Sequence, residues 1–163
     1  MKLSLLFVFL FLTCQGQKNE VVEKTLPKFN LVQEVISDNS KLFTTDQKDI
    51  LAKRLIEYQA QTTNQVVVIT VDSITPYTNI QKYATDLSND LGVGQKDKNN
   101  GLVIVVSDKL RQVSIATGTG TEKILTDSIC KQIIDSTIIP QLRNKDYYQG
   151  ISMALDSLIY KWQ

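Results

Sequence analysis

Two glycine-bearing segments of this 163-residue chain carry side chains that suit a hard metal ion. Carboxylates, Asn carbonyl oxygens and backbone carbonyls freed by glycine are the ligands that calcium and magnesium prefer. Calcium accepts six to eight irregularly placed oxygens, whereas magnesium requires a tighter octahedron. The residue types therefore predict a divalent-cation site, with calcium favoured over magnesium. The relevant residues are Gly92, Gly94, Asp97, Asn99, Asn100 and Gly101 in the first segment, and Gly118, Gly120, Glu122 and Asp127 in the second.

An ordinary structural interpretation of the same residues stays open. Asp-Lys-Asn-Asn-Gly at 97–101 is also typical of a surface turn, and Asp127 could simply begin a helix. Each segment alone is a weak signal. The prediction depends on the two segments meeting in space.

The residues that are missing exclude several classes of site. The chain contains no histidine, which excludes Ser-His-Asp and Cys-His catalysis and His-ligated zinc. Its two cysteines, Cys14 and Cys130, are too few for a disulfide framework or an iron–sulfur cluster. The isoleucines around Cys130 predict a buried, inert thiol. With 18 basic and 17 acidic side chains, a net charge of +1 gives no indication of nucleic-acid binding.

The hydrophobic periodicity changes between helix-like and strand-like segments along the chain, which indicates an α/β fold. The β-branched run Val66–Val71 is typical of a strand that is covered on both faces. We predict a three-layer α/β/α sandwich with a small mixed sheet, in which two parallel strands are followed by an antiparallel hairpin strand. Expected helices are 44–61, 78–91 with Thr78 as its cap, 127–137 and 146–160; expected strands are 66–71, 102–106 and 112–116, with an edge strand at 31–36.

This topology predicts which loops meet. The loop 92–100 enters the second central strand at its amino end, and the hairpin returns the chain so that 117–126 leaves from that same end. Asp72 and Asp108 should instead lie at the opposite end, near Asp38. The two glycine segments are therefore expected to converge.

The amino terminus predicts export. Lys2 precedes ten uncharged, mostly apolar residues, Leu3–Leu12, a run that fits a signal-peptide core of about 7–15 residues and is shorter than the roughly 20 that a membrane span needs. We expect a signal peptide at 1–16, a flexible leader at 17–29 and one folded domain at 30–163. A second possibility is lipid attachment at Cys14, which would be the protein's only link to a membrane.

The ordered motifs resemble the TPM domain family over about 120 positions, from Ile36 to Leu158. The resemblance lies in Gly92-Val93-Gly94, in 100–105 (Asn-Gly-Leu-Val-Ile-Val), and in Gly118-x-Gly120-x-Glu122-x-x-Leu125-Thr126-Asp127. It implies an extracytoplasmic α/β sandwich that binds divalent cations, calcium most often. Carried over position by position, it implies Asp97, Asn100, Glu122 and Asp127 as metal ligands, with the choice among Asp97, Asn99 and Asn100 left open.

Two functions follow from these expectations, and a scaffold without any site is the third alternative. The first is a non-catalytic module in which the cation stiffens both loops, so that they present a surface to an extracytoplasmic protein or a membrane-associated partner. The second is the acid phosphatase activity that the family resemblance also implies, with a cation activating water and Lys96, Lys98 and Lys123 near the phosphate. We favour the module, because the sequence contains no P-loop or nucleophile elbow. The strand-end pair Asp72-Ser73 is a candidate nucleophile or second cation site, although an ordinary turn explains it equally well.

Overall fold

The computed structural model describes residues 35–163, and a four-stranded mixed sheet runs through the middle of this region. The strands are β1 (Ile36–Asp38), β2 (Gln65–Thr70), β3 (Gly101–Ser107) and β4 (Gln112–Thr117), in that spatial order. β1, β2 and β3 are parallel, whereas β4 is antiparallel to β3. The predictions for the signal peptide 1–16, the leader 17–29, a lipid on Cys14 and most of the edge strand lie outside the described residues.

Five α-helices surround the sheet in the described part of the chain. They are α1 (Thr45–Thr62), α2 (Ile80–Leu91), α3 (Asp127–Ile133), α4 (Ile139–Arg143) and α5 (Tyr147–Lys161). A 3-10 turn at Thr121–Lys123 precedes α3, and a π turn at Ile134–Ile138 joins α3 to α4. No helix within residues 35–163 is long and apolar enough to cross a bilayer.

The central strands are apolar on both faces, and each face has its own core. Val66, Val68 and Ile104 point into a large cluster that includes Leu51 and Leu55 of α1 and the apolar face of α5. The alternate residues of β2 and β3 point into a smaller cluster with α2. Because successive side chains of a strand point in opposite directions, a continuous β-branched run fills both layers. The three-layer sandwich is confirmed.

The edge strand lies further along the chain than predicted. Its described part covers Ile36–Asp38, beyond the predicted end at Ile36, and pairs in parallel with β2 through the register of Ile36 with Val68. The sheet therefore has three parallel strands instead of two. The carboxylate of Asp38 ends this strand by accepting hydrogen bonds from Phe43 N and the Thr70 hydroxyl, at 2.9 and 2.7 Å.

The start of the first helix agrees with the expectation, and the start of the second differs by one residue. The first helix begins after Thr44 as predicted, with a complete capping box to Gln47. The second is capped by Asn79, one residue after Thr78, because the Asn79 side chain reaches Lys82 N at 2.9 Å. Both residue types can cap a helix, so local sequence did not distinguish the two positions.

The predicted helix 127–137 continues beyond its expected end. Pro140 lies within this helical run, although proline lacks an N–H donor and its ring meets the carbonyl four residues earlier. The chain widens into the π turn, in which Ile139 N donates to Ile134 O, and proline takes a position near the start of α4. A π turn is a known way to accommodate such an interruption inside a helical run.

Because α1 packs one face on the larger core, alanine substitutions at neighbouring residues of α1 should change the unfolding free energy by different amounts. Leu55 is 1% exposed and Ile56 is 55% exposed. Leu55→Ala should lower the free energy of unfolding by about 2–5 kcal/mol, since it leaves a cavity in the larger core. Ile56→Ala, the matched control, should stay within about 0.5 kcal/mol of the wild type. Urea denaturation measures both, and similar losses would contradict the assigned faces of α1.

Candidate metal site

The two glycine loops lie against each other at the amino end of β3. Gly118 N donates to Gly101 O at 2.9 Å, and Gly120 N donates to Asn99 O at 3.1 Å. These bonds continue the β3–β4 pairing past the end of the sheet. The predicted convergence of the two loops is confirmed.

Glycine is required for this backbone-to-backbone approach. A Cβ atom on Gly120 would lie 1.9 Å from the carbonyl oxygen of Lys98, and one on Gly118 would lie 2.3 Å from that of Asn99. Real side chains do not tolerate such distances from a backbone atom. The spacing of the glycines therefore allows the close contact between the two loops, which we call the junction, independently of any bound ion.

Asn100 holds the first loop in place from inside. Its side chain is buried, with 7% exposure. Its Oδ1 atom accepts a hydrogen bond from Gln95 N at 2.8 Å, while Nδ2 donates to Thr63 O at 2.9 Å and to Asn64 Oδ1 at 3.2 Å. The structure thus gives this residue a bracing role between loop 92–100 and the end of α1, and its assignment as a ligand stays a prediction.

The backbone carbonyls at the junction are also engaged. Asn99 O accepts from Gly120 N and Thr121 N, and Gly101 O accepts from Gly118 N and the Thr121 hydroxyl. Each of these oxygens therefore has two donors already. A cation at this end of the domain would depend mainly on side-chain oxygens and water.

Three carboxylates at this end have no partner within residues 35–163. Asp97, Glu122 and Asp127 are exposed, and none forms a hydrogen bond or ion pair through its carboxylate with another residue of 35–163. The acidic residues at the opposite end of the sheet differ, because each has a close partner there. The glycine-loop end is consequently where carboxylate oxygens remain available.

Glu122 and Asp127 belong to one short segment that leads to Cys130. Glu122 is in the 3-10 turn and Asp127 is the first residue of α3, which Thr126 caps through Ile129 N. Burial raises the pKa of the Cys130 thiol to about 11, with the negative charges of Asp127 and then Glu122 contributing further. The thiol itself is buried, as predicted.

Comparison with known proteins identifies the family. The family model for the TPM domain matches residues 36–161, which is most of the chain. The chain belongs to the TPM domain family. No curated protein matches it.

Three NMR structures share this fold. The N-terminal domain of a protein from P. gingivalis is 27% identical with a TM-score of 0.71, over 78% of this chain and 80% of that one. The N-terminal domain of the cg2496 protein from Corynebacterium glutamicum is 15% identical with a TM-score of 0.63, over 85% and 84%. The BA42 protein from the psychrophilic bacterium Bizionia argentinensis is 14% identical with a TM-score of 0.64, over 77% and 88%.

The donor set of this TPM domain fits a hard cation chemically, but it is sparse. Within residues 35–163, no three His, Cys, Asp or Glu side chains lie close enough together to hold an ion by themselves. A cation held by one or two of Asp97, Glu122 and Asp127 would complete its coordination with water. Calcium tolerates such an irregular, partly hydrated shell better than magnesium does.

The other end of the sheet of the TPM domain is arranged differently. Lys109 Nζ lies 2.5 Å from Asp72, and this contact, ahead of one from Ser40, lowers the pKa of the Asp72 carboxyl. Ser73 Oγ accepts from Thr75 N at 3.2 Å, which is the ordinary turn geometry. These contacts favour the turn interpretation of Asp72-Ser73 over a nucleophile.

Sequence reasoning missed the side chains that brace the first glycine loop. Gln65 Oε1 accepts from Gly94 N at 2.6 Å, and Thr63 and Asn64 receive the Asn100 amide. These residues lie about thirty or more positions before their partners, so no local motif marks them. Their polarity at the start of a buried strand is the one signal that could have drawn attention to them.

The tight junction makes a testable prediction. Gly120 has φ −75° and ψ −38°, a conformation open to any residue, so Gly120→Ala should be destabilising only through its contact with Lys98 O. We expect a loss of about 1–3 kcal/mol in unfolding free energy. Thr119→Ala, at the exposed neighbouring position, should change it by less than about 0.5 kcal/mol. Equal effects in thermal or urea unfolding would show that the loops are not packed as described.

Proposed function

We propose that this protein is an exported TPM domain that binds a divalent cation, calcium in preference to magnesium, where its two glycine loops meet. The bound cation stiffens both loops, and the resulting surface docks onto an extracytoplasmic protein or a membrane-associated partner without catalysing a reaction. The observation that carries this proposal is the set of unpartnered carboxylates, Asp97, Glu122 and Asp127, on two interlocked loops.

The available carboxylate oxygens at this end support cation binding. A divalent cation would give Asp97, Glu122 and Asp127 the charged partner that no residue of 35–163 supplies. Glu122 and Asp127 are the stronger candidates as ligands, because both are exposed on the same short segment, in the 3-10 turn and at the start of α3. Asp97 would have to approach them from the other loop, and its exposed turn position leaves it room to do so.

Two features support a binding module over an enzyme. The candidate nucleophile pair is engaged in local contacts, since Asp72 is paired with Lys109 and Ser73 is part of a turn. Lys98, one of the lysines considered for phosphate binding, donates instead to the Thr63 hydroxyl at 2.9 Å.

Export is supported by the signal-like residues 1–16. Calcium is plentiful outside the cytoplasm, so a weak site would still be occupied there.

Calcium should stabilise the protein by an amount that grows with its concentration. For a dissociation constant on the order of 10⁻⁴–10⁻³ M, 10 mM calcium should add about 1.4–2.7 kcal/mol to the unfolding free energy and raise the thermal midpoint accordingly. The double variant Glu122→Gln/Asp127→Asn should lose this increment. Asp49→Asn, which removes an exposed carboxylate on α1, should keep it.

Differential scanning calorimetry with calcium, magnesium and no metal measures the increments. An unchanged calcium increment in the double variant would refute the ligand assignment. An equal increment from magnesium would refute the preference for calcium.

Catalysis is tested separately. We expect the hydrolysis of para-nitrophenyl phosphate at pH 5–7 to be no faster with the wild type than with the identically purified double variant, with or without calcium. A calcium-dependent rate that the double variant lacks would replace the module with the phosphatase.

A further inference from the structure

A cleft of about 900 Å³ lies at the opposite end of the sheet from the glycine loops. Its walls come from the β3–β4 hairpin, the exposed edge of β4, the first residue of α2, the end of α4 and the start of α5. Small-molecule sites in proteins are typically clefts of about 300–1,000 Å³, so its size suits a small organic ligand.

The cleft carries an excess of positive charge. Lys109, Arg111, Arg143 and Lys145 line it. Lys109 is paired with Asp72, whereas the other three make no ion pair with any residue of the described segment 35–163. The lining carboxylate, Asp108, accepts a hydrogen bond from the Tyr147 hydroxyl. Four cations against the carboxylates of Asp72 and Asp108 leave two positive charges uncompensated.

Apolar side chains line the same space. Ile80 of α2, Val113 of β4, and Ile139 and Leu142 of α4 are all partly buried there. A site that combines uncompensated cations with an apolar wall suits an organic anion with an apolar body better than an inorganic ion, which gains nothing from the wall.

Two of the cations occupy backbone positions where glycine is the usual residue. Arg111 has φ +52° at the end of the hairpin turn, where Arg111 N donates to Asp108 O. Lys145 has φ +60° after α4, where Lys145 N donates to Leu142 O and Asp146 N to Gln141 O in a Schellman motif. Side chains other than glycine are strained in this conformation. Both residues line the cleft, and their backbone conformation makes glycine an acceptable replacement at each position.

The edge of β4 rules out an extended peptide as the occupant. Gly118 N donates to Gly101 O, so these two residues form a hydrogen-bonded pair of the antiparallel ladder. Hydrogen-bonded and non-hydrogen-bonded pairs alternate along β4, and Val113 and Ile115 belong to the second kind. Their backbone N–H and C=O groups therefore point away from β3. Gln81 of α2 already occupies this edge, because its Nε2 donates to Ile115 O at 3.2 Å and its Oε1 accepts from the Ser114 hydroxyl. A strand could therefore not pair along β4, while a compact ligand beside Val113 is not obstructed.

We infer that this cleft binds a small organic dianion with an apolar body, either a dicarboxylate or a phosphate ester. The guanidinium groups of Arg111 and Arg143 can each hold one anionic group with paired hydrogen bonds, and Lys145 adds a point charge. The apolar body lies against Ile80 and Leu142. The amino end of α2, which begins at Ile80, adds a favourable partial charge.

The test is calorimetric titration of the purified protein, at constant ionic strength and without calcium, with four probes. Phthalate and phenyl phosphate are dianions with an apolar ring, benzoate has the ring with one charge, and sulfate has two charges without a ring. We expect saturable binding of phthalate, phenyl phosphate or both, at least tenfold tighter than binding of benzoate and sulfate. A preference between the two dianions identifies the anionic group.

Variants that remain folded locate the binding. Arg111→Gly and Lys145→Gly each place glycine where the backbone favours it, so neither should lower the thermal midpoint by more than a few degrees, and each should weaken binding of the preferred dianion at least tenfold. Lys41→Gly is the matched control, since Lys41 has φ +54° and lies outside the cleft. It should bind as the wild type does.

Three results would overturn the inference. These are the absence of saturable binding by either dianion, binding of sulfate as tight as that of the dianions, and equal losses in Lys41→Gly and the two cleft variants. The glycine loops and the cleft lie at opposite ends of the sheet, so failure of calcium binding would leave this test unaffected.

Discussion

The contact between two stretches of backbone at the amino end of β3 organises this domain. Gly101 O and Asn99 O receive N–H groups from the loop that follows β4, which extends the ladder beyond the sheet. The approach is possible only because Gly118 and Gly120 have no Cβ atom. Once the loops are joined, the positions of Glu122, of the cap of α3 and of the buried Cys130 follow along the chain. The candidate cation site therefore requires glycine at positions 118 and 120, whatever charges the two loops carry.

The two ends of the described sheet carry different sets of charged side chains. The glycine-loop end has Asp97, Glu122 and Asp127 together with Lys96, Lys98 and Lys123, whereas the cleft at the other end has an excess of cations. The cause is the topology, since parallel strands with one antiparallel hairpin send alternate connections to opposite ends. Each end therefore collects side chains from segments that are distant in sequence. Two chemically opposite sites can coexist on a domain of this size because the sheet separates them.

Much of the fold could be predicted from local patterns. The run Val66–Val71 identified a buried strand, and Thr44 identified the start of α1, because burial on two faces and capping both depend on neighbouring residues. The predicted end of the third helix at residue 137 was wrong, because a π turn continues the helical run into α4. The predicted cap of the second helix, Thr78, was also wrong, since Asn79 caps α2. In both cases two local solutions were available, and packing against the rest of the domain selected one.

The sequence by itself determined the alternation of helices and strands, the convergence of the glycine loops and the membership of the TPM family. The tertiary structure alone decided which polar groups are engaged and which are available. Asn100 and Asp97 looked equivalent as oxygen donors, but Asn100 is buried against Thr63 while Asp97 is exposed. No sequence motif marks Arg111, Arg143 and Lys145, and only the fold brings them together around one cleft. The physical reason is that periodicity and capping are short-range, whereas the partners of a side chain come from residues tens of positions away.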